Sequence, residues 1–180
     1  LTDCNNNIVI GAYAFDAANT GEHYNVAIGT NALSAETSAA NYCVAIGGAA
    51  LALQNGNVVN TAIGGLAGAE LTGGTYNTLV GYQAGNQLDG NENGNTFIGH
   101  DAGSNADGAE DNVFIGHQAG GLGVATGDLN VAVGVAAGLD LTDGPGNVLI
   151  GAYAGTNMTT GDYNIAIGYQ AADAMVGAAN

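Results

Sequence analysis

The chain has 180 residues and a formal net charge of −16, with no Lys and no Arg. Without a cation to meet phosphates or an anionic bilayer surface, nucleic-acid binding is excluded, and no run reaches the roughly 20 apolar residues needed to insert into a membrane. A hydrophobic content of 47% held in strict phase places the sequence among folded chains in spite of its 32 glycines.

Taken in chain order, the first unit runs from Asn7 through Ile8-Val9-Ile10 to Gly11 and on to Ala14, and the rest of the sequence repeats it. The repeated glycines are Gly11, Gly29, Gly47, Gly64, Gly81, Gly99, Gly116, Gly134, Gly151 and Gly168, always 17 or 18 residues apart. Three residues after each stands Ala, from Ala14 to Ala171. Four residues before each stands Asn: Asn7, Asn25, Asn60, Asn77, Asn95, Asn112, Asn130, Asn147 and Asn164, with Cys43 in the third copy.

The triplet before each Gly is a predicted strand, because Ile or Val precedes the Gly and Ile, Val or Thr stands two places earlier. The intervening column, which includes Ala27, Leu79, Phe97, Phe114 and Leu149, points the other way and is also apolar. We expect the β-branched pair inside the coil, with Thr61, Thr78 and Thr96 among it, and the Ala/Leu/Phe column as a lateral interface with another chain. The Gly supplies a bend, the Ala an inward position with room for one methyl group, and a second Gly directly after it (Gly68, Gly85, Gly103, Gly120, Gly138, Gly155) another corner. Between the phrases lie loops of Thr, Gly, Asp and Asn, where variable length is tolerated best.

A unit of 17 to 18 residues is too short for two helices and long enough for one coil of a parallel β-solenoid. The predicted fold is therefore all-β: a single solenoid domain over 1–180, ten coils centred on the repeated glycines, with no helical domain. At about 4.8 Å per coil the rod is roughly 50 Å long. The Asn column becomes a ladder whose amides bond one another or the turn backbone. Cys4 and Cys43 fall roughly 9 to 10 Å apart along such a stack, too far for a bridge within the chain. The chain opens on Leu1, which points to a mature form or a piece of something longer. The pattern starts at Asn7 and stops after Ala171 without a cap.

Several columns carry candidate binding residues. Tyr82, His100 and His117 stand one residue after the Gly on consecutive coils and form a stripe that suits a sugar, or a transition metal near a symmetry axis. Tyr13 and Tyr153 share another position, and Tyr24, Tyr42, Tyr76 and Tyr163 a third; exposed tyrosine rows suit contact with carbohydrate or protein. The loops carrying Asp89 and Glu92, and Asp107 after them, offer oxygen ligands suited to Ca²⁺, and no other cofactor is expected. Three serines without a nucleophile elbow, and no paired Cys and His, predict a chain that is not an enzyme.

The phrases Tyr24-Asn-Val-Ala-Ile-Gly, Asn95-Thr-Phe-Ile-Gly-His-Asp-Ala-Gly and Tyr163-Asn-Ile-Ala-Ile-Gly-Tyr-Gln-Ala resemble the head repeats of trimeric autotransporter adhesins and repeats of phage tail fibres and bacterial surface fibres. The resemblance covers nearly the whole chain. It implies a left-handed parallel β-roll, three chains side by side, and attachment to surfaces. The expected function is an extracellular structural and adhesive fibre module of a cell surface or virion. Its partners would be further copies of itself, as a homotrimer or a head-to-tail filament, and a host-surface glycan or protein. Ice binding is a third expectation, which the Thr column would serve only if it faced outward.

Overall fold

In the computed structural model, residues 4–18, 21–37, 41–56, 59–90, 92–123 and 125–177 are described. Ten three-residue strands stack in one parallel sheet in chain order: β1 (Ile8–Ile10), β2 (Val26–Ile28), β3 (Val44–Ile46), β4 (Thr61–Ile63), β5 (Thr78–Val80), β6 (Thr96–Ile98), β7 (Val113–Ile115), β8 (Val131–Val133), β9 (Val148–Ile150) and β10 (Ile165–Ile167). Equivalent residues pair without a slip, as in Val26 with Val44 and Phe97 with Phe114. The fold is a β-solenoid with about nine turns between its first and last strands, and no helix occurs among the described residues.

Each coil turns through backbone that L residues rarely adopt, and the stacking explains why the repeat is written in glycine. Gly47 has φ +136°, and a Cβ there would run into the carbonyl oxygen of Gly64 on the next coil. Every repeated Gly up to Gly151 meets the next coil's Gly in the same way. Three further positions in the coil are left-handed without being reserved for Gly: the residue before the Asn column, such as Tyr24 at φ 60° and Leu129 at 61°; the second residue after the Gly, such as Gln83 at 56°; and the fourth after it, such as Leu33 at 52°. These corners carry conformational strain that the stacked coils hold in place.

The inward column reverses one expectation. Ala27, Leu79, Phe97, Phe114 and Leu149 are fully buried inside the coil of their own chain, so they cannot be a lateral interface. The β-branched pair points outward instead, and strands β2 to β9 are half-buried or exposed at both outer positions and buried only in the middle. Thr61, Thr78 and Thr96 accordingly lie on the surface and not inside.

The interior closes by matching sizes within a coil or across neighbouring coils: Ala62 with Gly68 and Ala132 with Gly138 leave room that Leu79 and Leu149 of the following coils approach. Ala27 and Ala45 share their coils with the buried side chains of Leu33 and Leu51, four residues after the Gly. Where the inward strand residue is large, that corner is Gly: Phe97 with Gly103, Phe114 with Gly120, Leu149 with Gly155. A Cβ on Gly103 would enter the Phe97 ring, and one on Gly120 would sit 2.5 Å from Phe114. The two phenyl rings stack with centroids 4.9 Å apart and planes 6° from parallel. The Ala column from Ala32 to Ala154 is fully buried beside them. No cavity opens among the described residues.

Candidate functional site

The scaffold under every surface group is the Asn ladder. The side-chain oxygen of Asn77 accepts the backbone N–H of Asn95 at 3.0 Å, that of Asn95 the N–H of Asn112 at 3.0 Å, and that of Asn112 the N–H of Asn130 at 2.8 Å. The amide nitrogens donate to loop carbonyls, as Asn95 Nδ2 does to Ala109 O at 2.8 Å. Each rung thus fixes the strand and the loop of its neighbour, and Asn25 through Asn164 are buried while Asn7, at the end, is half-buried. At Cys43 the backbone N–H still donates to Asn25 Oδ1 at 2.9 Å. The N–H of Asn60, however, meets the Cys43 sulfur, a weaker acceptor than an amide oxygen. Burial pushes the Cys43 thiol up to about 11, with the Glu36 carboxylate adding to the effect. The two thiols are not joined in a disulfide. Cys4 donates to Glu22 Oε2 at 2.9 Å, and that hydrogen bond raises its thiol above the usual range.

On this scaffold the outward strand face carries two columns. One runs Ile8, Val26, Val44, Thr61, Thr78, Thr96, Val113, Val131, Val148, Ile165; the other runs Ile10, Ile28, Ile46, Ile63, Val80, Ile98, Ile115, Val133, Ile150, Ile167. Ile63, Ile98 and Ile150 remain 37 to 38% exposed, which is high for side chains on a central strand. None of the 16 carboxylates lies on a strand. No family model, curated protein or solved structure matches this chain. Any functional reading therefore stands on the geometry of these columns and on the sequence pattern.

The structure brings the aromatic stripe together. Tyr82 and His100 stack at 5.5 Å and His100 and His117 at 5.2 Å, all three exposed. His100 Nδ1 lies 3.0 Å from Asp101 Oδ2. Because the rings spend their faces on one another, and Tyr82 lies over Gly65, the stripe offers hydrogen-bonding edges more than a stacking platform. Tyr24 and Tyr42 likewise stack at 5.0 Å, 5° from parallel. Tyr13 and Tyr153 are exposed on distant coils, and Tyr153 meets Tyr169 edge to face at 6.1 Å.

The metal candidates separate into two places. Asp89 and Glu92 converge with Asp107 of the following coil, their ligand atoms all within 4.8 Å of one another. Glu92 is buried and accepts the N–H groups of Gly90 and Gly108, each at 3.2 Å to Oε1. Partial desolvation, followed by the Asp89 and Glu92 carboxylates beside it, holds Asp107 above the usual carboxylate range. This donor set suits a hard cation such as Ca²⁺. The imidazoles of His100 and His117 are elsewhere and do not join it.

Sequence reasoning missed the buried polar side chains of coils two and three. Glu22, Glu36 and Gln54 are fully buried. Gly56 N–H donates to Glu36 Oε2 at 3.0 Å, and Asn60 Nδ2 donates to Gln54 Oε1 at 2.8 Å. Glu36 and Gln54 stand seven residues after their glycines, where later coils have Leu71, Leu88, Leu141 and Met158. That column, read vertically, would have exposed them.

Proposed function

We propose that this chain is a non-enzymatic extracellular module, a stiff β-solenoid rod that serves as a structural and adhesive element of a cell-surface or virion fibre. The observation that carries the reading is the unbroken in-register stack of ten strands, each of which repeats the same outward pair of β-branched residues. Such a rod presents weak contacts many times over, and multivalent attachment follows from the repetition. The lack of Lys and Arg removes every trypsin-type cleavage site, which suits a life among proteases. The likeness of its phrases to adhesin-head and tail-fibre repeats points the same way.

The partners we propose are further copies of the chain and a glycan or protein of a host surface. β1 and β10 each pair on one side only within the sheet, so another coil can add at either edge, and head-to-tail pairing of copies would build a filament. A lateral homotrimer would have to use the outward β-branched face, because the column first expected at its seam is interior. Negative-stain electron microscopy with mass by light scattering tests the reading. Filaments, or discrete rods about 50 Å long, support it; a compact particle with no long axis refutes it.

A further inference from the structure

Threonine enters the outward face in one place. Thr61, Thr78 and Thr96 occupy consecutive strands, pair in register, and are half-exposed. Several loop threonines spend their hydroxyls on the neighbouring coil: Thr72 on Asp89 O at 2.9 Å, Thr142 on Thr159 O at 2.9 Å, Thr159 on Val176 O at 2.8 Å. Among the described residues, no hydrogen bond is made by the hydroxyls of Thr61, Thr78 or Thr96, which are left to whatever lies against the face.

The three threonines continue a column of Val and Ile above and below, and the all-Ile/Val column runs parallel two residues on. The result is a grid of β-branched side chains about 4.8 Å apart along the rod and about 7 Å apart across it. Those two spacings are close to the oxygen repeats of hexagonal ice along its a and c axes. The Gly stack repeats from rung to rung and the Asn ladder on all but the Cys43 rung, so the grid keeps its period along the sheet.

We propose that this face binds ice. The inference rests on the reading of the chain as an extracellular rod with a repeated attachment surface, and it names crystalline water as what that surface holds. Methyl rows order the water above them, the free threonine hydroxyls anchor water at rung spacing, and the carboxylates, which would impose their own hydration, all lie off the strands. As a protein interface the same grid is poorly suited, because three hydroxyls buried there without acceptors would oppose docking.

The test is a single ice crystal grown in a solution of the full chain and followed in a nanolitre osmometer. Faceted growth and a gap between melting and growth temperatures are expected. Both should be lost in Thr78→Tyr, reduced in Thr96→Val, which removes only a hydroxyl and keeps the β-branched shape, and retained in Asp140→Asn, off the face. Rounded crystals with the unaltered chain, or an unchanged gap in both threonine variants, overturn the proposal. Rods seen by microscopy without any effect on ice would sink the ligand and leave the rod standing; a compact particle would sink both.

Discussion

Replacing Phe97 by Ala should be rescued by placing Leu at Gly103, a substitution that is harmful alone. Phe97 is fully buried and stacked on Phe114, so Phe97→Ala is expected to cost about 3–5 kcal/mol. Gly103→Leu in the unaltered chain drives a side chain into the Phe97 ring, an overpacking worth about 1–3 kcal/mol. The backbone does not forbid Leu there: φ is +56° at Gly103, and Leu33 and Leu51 already occupy the equivalent corner at 52° and 49°. Together the two changes rebuild the arrangement of Ala27 with Leu33. Of six side-chain carbons removed, Leu restores four, and the two missing groups at about 0.8 kcal/mol each leave a deficit of about 1.6 kcal/mol. The double variant should therefore be more stable than Phe97→Ala, with a coupling energy of at least about 2 kcal/mol. Coils of a repeat array can open separately, so the readout is hydrogen exchange of the β6 and β7 amides together with the denaturant midpoint. Additive or worse-than-additive losses would refute size matching as the rule that fills this interior.

Other residues give sharper yes-or-no contrasts. Gly47→Ala should block stacking on Gly64, whereas Gly168→Ala, where only Ala171 Cβ among the described residues comes within 4.0 Å, meets little beyond the φ penalty; thermal unfolding should separate the two, and equal losses would count against the stacking account. Asn95→Ala removes one acceptor for Asn112 and one donor to Ala109 and should cost about 1–3 kcal/mol with exchange rising on β6 and β7; a change confined to a distant coil would contradict the ladder. Cys43→Asn should restore an amide oxygen for the Asn60 N–H and stabilise by about 0.5–1.5 kcal/mol. The Cys43 thiol is raised from 9.0 to about 11 in the folded chain, so its contribution is intact below pH 9 and is lost as pH rises toward 11. That loss amounts to about 2–3 kcal/mol and should vanish in Cys43→Asn; an identical alkaline limb in both proteins would rule it out.

The repeat period, the bends at glycine, the inward Ala and the Asn ladder were all legible in the sequence, because each rests on a residue type whose chemistry has few alternatives. The orientation of the strand was not. Val and Ile alternate with Ala, Leu and Phe, both columns are apolar, and period-2 alternation alone does not say which faces in. The signal that decides it is covariation of size. Phe97, Phe114 and Leu149 occur with Gly at the corner and Ala27 and Ala45 with Leu, while Ala62 with Gly68 and Ala132 with Gly138 are made up by Leu79 and Leu149 of the next coil, and only an interior column must conserve volume in that way. The outer columns show the opposite habit, keeping one shape on every rung. Convergence of Asp107 with Asp89 and Glu92 was visible as adjacent acidic loops, but the closeness of their oxygens depends on the stacking of two coils. Glu36 and Gln54 were hidden because polar residues between strands read as loop until their column is aligned with Leu71 and Leu88.

Thiol labelling tests the orientation of the strand directly. In a chain with Cys4→Ser and Cys43→Ala, a single cysteine is introduced either as Phe97→Cys or as its neighbour Ile98→Cys, and modification is timed under native, dispersed conditions. Rapid labelling after Ile98→Cys and strong protection after Phe97→Cys are the expected result. The reverse order would turn the strand over, returning the Ala, Leu and Phe column to the surface and removing the β-branched face on which the ice proposal rests.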